Sequence, residues 1–302
     1  MPILTDPNRG YLSFVLHAHL PFVRHPEYPR FLEEMWLFEA ISETYLPFLR
    51  LCNRLKEEGV GLCLTVSISP TLSAMLNDEL LQTRYIEYLL RMIDLADHEV
   101  RRTATHRDFA PVARMYARMY RECLHDFCEV YRNDITRGFR ELQKSGHLEL
   151  ITTAATHCFF PLYQEYPSAL DMQIHTAILS HGRTFGTNPD GFWLPECGYY
   201  PGLERHLKRN GIRYFFTAAH GVLFSRPRAP YGVYTPIQCA NGVAAFGRDV
   251  PSSHAVWSSE DGYPGDISYR DFCRDIGFDL PLDYVRPWIH DDEIRISTGI
   301  KY

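Results

Sequence analysis

Short apolar runs alternate along this chain with longer amphipathic stretches. Tyr11–Leu16 (YLSFVL), Val60–Val66 (VGLCLTV), His147–Thr153 (HLELITT), Gly191–Leu194, Ile212–Thr217 and Val243–Phe246 each read as a strand. The first two are nearly continuous in apolar residues, which is the mark of strands buried on both faces of a parallel sheet. Between them lie helical patterns. From Phe31 to Lys56, Trp36, Ala40, Leu46, Leu49 and Leu55 recur at helical spacing, and Gly59 supplies a cap. Pro167 to Phe185 carries Leu170, Ile174 and Ile178 four apart, with Gly186 as its stop. Pro201 opens a further helix containing Leu203 and Leu207, and Gly211 ends it. Strand–helix–strand alternation of this kind predicts a parallel α/β fold. The stretch from about 70 to 146 is helical throughout and too long for one crossover. It reads as an inserted helical subdomain of two or three helices, with Ser69-Pro70 as N-cap and first-turn proline.

The polar candidates fall at one kind of position. His17, His19, His157, Glu196 and Asp249 each sit just beyond an apolar strand. If the strands are parallel, all five converge on one face, where α/β folds place their chemistry. His17 and His19 are two apart, so they share a face. Such a pair suggests metal ligands or partners for a polar ligand, and a metal would require a third ligand. Glu196 follows Pro195 directly after a strand; it is either a surface glutamate or a catalytic carboxylate, and Trp193, Tyr199 and Tyr200 around it point to a cleft.

Composition narrows the function classes. The 302 residues suffice for one large domain or two small ones, and the net charge of -6 argues against a nucleic-acid partner. No apolar run reaches membrane-spanning length, and MPILTDPNRG lacks the charged and apolar regions of a secretory signal. The eight cysteines include no CxxC pair, which suits a reducing compartment and a cytoplasmic location. Aromatic residues reach 14%, with 19 tyrosines and four tryptophans. That excess suits either sugar-ring stacking or an aromatic-rich core. Two loops add to the sugar reading: Ser225–Gly232, a lid or a connector carrying Tyr231, and Val256–Asp266, dense in aromatic, glycine, proline and acidic residues and holding Trp257 and Asp266.

His17-Ala18-His19-Leu20-Pro21, the Thr152–Pro161 segment, Trp193-Leu194-Pro195-Glu196-Cys197 and Val256–Asp266 together resemble glycoside hydrolase family 57, and more narrowly its 1,4-α-glucan branching enzymes. The resemblance runs along nearly the whole chain. It implies an incomplete (β/α)7 barrel related to the eight-fold barrel, with a helical insertion and a helical domain following. It further implies a retaining enzyme acting on α-1,4-glucans with no metal or organic cofactor. By position, Glu196 would be the nucleophile, and His17, His19 and His157 would hydrogen-bond the sugar at the cleavage point. Trp193 and Trp257 would line the glucan cleft, with Asp266 in the same substrate-binding loop as Trp257. Tyr231 would belong to a mobile loop favouring transfer over hydrolysis. One departure stands out: the family's general acid, an aspartate, lies beyond the segment matching Tyr302. The chain is therefore expected to be the front part of an enzyme, impaired alone. Rival readings are a family 57 α-amylase or 4-α-glucanotransferase, a metal-dependent deacetylase (disfavoured by the lack of an HxxxH motif), and a non-catalytic glucan-binding module.

Overall fold

The computed structural model describes residues 10–269, 274–289 and 294–302. Six strands run parallel in the order β1 (Val15–Ala18), β2 (Leu64–Ile68), β3 (Leu148–Thr153), β4 (Gly191–Trp193), β5 (Tyr214–Thr217) and β7 (Ala244–Gly247), while the short β6 (Ile237–Gln238) pairs antiparallel with the far edge of β7. With helices on its outer side, this seven-stranded sheet forms an incomplete (β/α)7 barrel. Among the described residues β1 pairs with β2 alone, so the cylinder stays open there.

That opening corrects the reading of the first apolar run. The hydrogen-bonded strand starts at Val15 and contains His17, while Tyr11, Leu12, Phe14 and Leu16 are exposed by 67, 81, 55 and 43%. β1 is an edge strand among the described residues, and these exposures show that its apolar run is not covered on both faces. β2 likewise begins at Leu64 rather than Val60, because Gly59 turns the chain at φ 71° and residues 60–63 serve as connection.

The first long helix is α1 (Glu34–Ala40) running into α2 (Leu46–Glu57) through a π-helical turn at Ile41–Tyr45. Pro47 accounts for that turn, since it has no N–H for the carbonyl four residues back and its ring crowds that carbonyl. Between β2 and β3 come α3 (Pro70–Leu76), α4 (Glu79–Arg102), α5 (Phe109–His125) and α6 (Thr136–Lys144). Ser69 caps α3 by accepting from the Leu72 N–H, and Asp78 caps α4 by accepting from Leu81. Tyr85, Tyr88, Tyr116 and Tyr120 are fully buried where α4 and α5 pack, so part of the aromatic excess is core. After β3 follow α7 (Pro167–Phe185), which ends at Gly186 in the left-handed region, α8 (Leu203–Arg209), α9 (Ala219–Leu223) and α10 (Val250–Trp257).

The last residues return to α4 through the buried carboxylate of Glu99, and Asp275 ties them to one another. Glu99 accepts from Arg102 at 2.8 and 2.6 Å and from the hydroxyls of Tyr284 and Tyr302 at 2.7 Å each. Asp275 accepts from the backbone of Gly277, Thr298 and Gly299 and from the Thr298 hydroxyl. The described cysteines are all free thiols, and Cys273 lies outside the described residues. Among the described residues, no helix is long and apolar enough to cross a membrane.

Candidate active site

The parallel register of β1 and β2 sets His17 beside Ser67, and the two-residue period on both strands sets His19 beside Ser69. His17 Nδ1 lies 3.1 Å from Ser67 Oγ, and His19 Nδ1 lies 3.0 Å from Ser69 Oγ. A third imidazole comes from the turn after β3, where His157 adopts φ 55° and its Nδ1 meets Thr153 Oγ1 at 3.2 Å. The three rings stack. His19 and His157 have centroids 3.9 Å apart, His17 lies 5.0 Å from His157, and Trp193 lies 4.7 Å from His17 with its plane only 8° off parallel. Trp193 is buried, packed with Ile151, Cys197 and Phe216 on the inner face of the sheet.

Electrostatics keep this stack neutral. Burial, then the neighbouring His157 and His19, lowers the His17 pKa to about 3. His19 falls to about 4 through burial and His157, with Glu196 opposing the shift, and burial brings His157 to about 4. Three imidazolium ions at such separations would repel strongly in a partly buried site. Among the described residues, His17 Nε2 is buried and makes no hydrogen bond.

Glu196 reaches the same place from β4. Pro195 ends the strand, and the chain folds into a tight turn in which Cys197 N–H donates to Leu194 O at 2.8 Å and Gly198 N–H to Pro195 O at 3.0 Å. Glu196 and Cys197 both take left-handed φ values, 51° and 54°, a strain of order 1 kcal/mol or more for each. The surroundings hold it. The Thr217 hydroxyl and the Ala218 N–H donate to Cys197 O at 3.1 and 3.2 Å, and the Arg248 side chain reaches the Cys197 thiol. Gly198 is required because the Phe159 ring sits where a side chain would begin, 2.2 Å from an ideal Cβ. The Glu196 carboxylate itself is 79% exposed, with Oε1 3.8 Å from His157 Nε2.

An exposed carboxylate on a braced turn, set beside neutral imidazoles over an aromatic floor, suits a neutral polyhydroxyl ligand. Among the described residues no group of three or more His, Cys, Asp or Glu side chains is arranged to hold a metal ion.

The sequence profile of glycosyl hydrolase family 57 matches residues 13–267, a span that includes all of these groups. The chain belongs to glycosyl hydrolase family 57. It is 34% identical over 296 residues to a 1,4-alpha-glucan branching enzyme of Thermococcus kodakarensis, covering 88% of this chain and 42% of that protein. Among solved structures it is similar to the alpha-amylase AmyC of Thermotoga maritima (44% identity, TM-score 0.92, 97% of this chain and 56% of that one). It is also similar to a family 57 branching enzyme of Pyrococcus horikoshii (33% identity, TM-score 0.78, 88% and 51%). The chain thus spans about half the length of these relatives.

The described contacts of the other candidates in this family 57 chain are local ones. Trp257, at the end of α10, is 64% exposed and touches the edge of His254; Tyr231 is 70% exposed; Asp266 accepts from the Ser268 N–H at 2.8 Å. Among the described residues, none of the three shares a hydrogen bond, ion pair or ring contact with the histidines or Glu196. Asp249 is an N-cap, its carboxylate accepting from the Ser252 N–H of α10 at 3.0 Å. Sequence reading passed over the groups that orient the family 57 cluster: Ser67, Thr153, Thr217 and Arg248, with Ser69 recognised only as a cap. A signal for two of them was present, since Ser67-Ile68-Ser69 repeats the two-residue period of His17-Ala18-His19. A small cavity of about 40 Å³ lies elsewhere, lined by Met35, Phe38, Tyr88, Met92 and Trp288 among others.

Proposed function

We propose that this chain carries the nucleophile and the sugar-binding floor of an enzyme acting on α-1,4-glucans, with branching as its reaction. The observation that supports this reading is the exposed Glu196 carboxylate on its strained turn, 3.8 Å from a neutral imidazole. In a retaining mechanism, one Glu196 oxygen attacks the anomeric carbon while the bond to the leaving glucan oxygen breaks. A second carboxyl, about 5–5.5 Å away, gives that oxygen its proton. The glycosyl ester is then opened by the 6-hydroxyl of another glucan chain, whose proton returns to the second carboxyl. His17, His19 and His157 bond the sugar held against Glu196. Trp193 supports His17 from beneath, while Trp257, Tyr231 and Asp266 meet the glucan farther out on the exposed flank.

The likeness to branching enzymes favours transfer, and the 44% identity to AmyC favours a second reading, hydrolysis of the same bond. Both readings share the ester on Glu196, so the first experiment addresses that. An α-glucosyl fluoride carrying a second ring fluorine needs no proton on its leaving group and forms a slow-turning ester. Intact-mass measurement and peptide mapping are expected to find one glycosyl unit on Glu196 and none in Glu196→Gln. An adduct on a different carboxylate overturns the assignment. In a polypeptide that also supplies the second carboxyl, amylose products then separate the readings: new α-1,6 anomeric signals support branching, whereas new reducing ends alone support hydrolysis.

A further inference from the structure

A hydroxyl group has one proton, and where that proton goes decides what a bonded imidazole must do. The Thr153 hydroxyl donates to Trp193 O at 2.8 Å and also lies 3.2 Å from His157 Nδ1. A carbonyl only accepts, so the first bond uses the Thr153 proton and the second is donated by the imidazole. His157 then carries its proton on Nδ1 and leaves Nε2 as a bare lone pair. The same reasoning holds at the end of β2. Thr71 donates to Leu20 O at 3.0 Å, so in its 3.0 Å bond with Ser69 the serine is the donor. Ser69 Oγ is left to accept from the Leu72 N–H at 3.2 Å and from His19 Nδ1 at 3.0 Å. His19 is thereby protonated on Nδ1 as well.

We propose that Thr153 and the Ser69–Thr71 pair are positioning residues that lock His157 and His19 as Nδ1–H tautomers, so that the site presents hydrogen-bond acceptors and selects ligands by their donor hydroxyls. The geometry beside Glu196 adds weight: His157 Nε2 and Glu196 Oε1, 3.8 Å apart, are two acceptors facing each other. A hydroxyl proton is attracted between them, whereas an ether oxygen, a carbonyl or a fluorine is repelled. The tautomers rest on the hydrogen bonds alone. That the donor is a sugar hydroxyl rests on the function proposed above.

Protein labelled with ¹⁵N-histidine reports the tautomers directly, because protonated and bare ring nitrogens differ widely in chemical shift. Signals are assigned by their loss in His157→Asn and His19→Asn. Both residues are expected to show a protonated Nδ1 and a bare Nε2. Thr153→Val is expected to turn His157 toward the Nε2–H form, and Thr153→Ser to leave it unchanged; a merely structural role for Thr153 would not move this signature. A wild-type His157 protonated on Nε2 overturns the inference. Binding supplies the second readout, using methyl α-maltoside and analogues with one hydroxyl at a time replaced by hydrogen or by fluorine. Where a hydroxyl faces His157, both replacements are expected to weaken binding about tenfold, the fluoro analogue being no better than the deoxy one. Recovery of affinity by fluorine at that position overturns the acceptor assignment. If no maltoside binds, the proposed function fails while the spectra still decide the tautomers.

Discussion

Acid should weaken this fold through histidines that it holds neutral. His17 and His181 are the most completely enclosed of these, with pKa values brought by burial to about 3 and about 4 from an ordinary 6.5. His181 on α7 is 2% exposed, packs against Phe185 at 4.9 Å, and has no partner on either ring nitrogen among the described residues. The sign follows from proton counting. Below pH 6.5 the unfolded chain takes up a proton at each residue while the native state refuses it until near its own lower pKa, so stability present above 6.5 is lost as pH falls. From 6.5 to 5 the loss is about 1.5 × 1.36, or about 2 kcal/mol for each of these two histidines. His19 and His157 act in the same direction but are more open, and solvent screening reduces their share. The sum of about 4 kcal/mol is a large part of an ordinary stability of about 5–15 kcal/mol. Urea unfolding at pH 7, 6 and 5 should show a falling midpoint at an unchanged slope. The His181→Leu variant, which removes one proton site from an apolar enclosure, should lose about 2 kcal/mol less over that range. Wild type and variant with equal pH dependence, within about 0.5 kcal/mol, would refute the reasoning.

Three further outcomes test the structure. Glu99→Ala removes the carboxylate that gathers Arg102, Tyr284 and Tyr302, and should cost about 3 kcal/mol in urea unfolding; a loss under about 1 kcal/mol would mean the last residues are held by other contacts. Gly198→Ala drives a methyl group into the Phe159 ring, so it should cost about 1–3 kcal/mol and slow labelling of Glu196, and the combination with Phe159→Leu should recover part of both. Purely additive effects would count against that contact. Thr217→Val deletes the hydroxyl that holds Cys197 O; it should cost about 1 kcal/mol and lower the labelling rate at Glu196 more than maltoside affinity, whereas an unchanged rate would mean the turn is braced elsewhere.

Much of the frame was legible because it rests on local rules. Pro167 and Gly186 bound α7 as written, Ser69-Pro70 opens α3, and six apolar runs mark the six parallel strands to within a few residues. Legibility ended where position depends on neighbours. The run at Tyr11–Leu16 is as apolar as a central strand, and only pairing shows that it lies at an edge. The two residues of β6 are too few to make a pattern. The proximity of His17, His19, His157 and Glu196 could be inferred because parallel strands deliver their ends to one rim, whereas Asp249, expected with them, caps α10. Of the orienting hydroxyls only Ser67 and Ser69 left a signal, their shared period with His17 and His19; Thr153 and Thr217 left none, since a threonine ending a strand looks alike whatever lies across from it.

The open side of the barrel has a consequence for how the chain behaves in solution. Along β1 the described backbone offers donors and acceptors on its outer edge, and next to them stand Tyr11, Leu12, Phe14 and Leu16 with no charged residue among Tyr11–Ala18 to keep another strand away. Natural sheets blunt such an edge with lysine, proline or a covering segment. Handled as an isolated polypeptide, this chain offers on its described β1 edge a template on which its own copies can align.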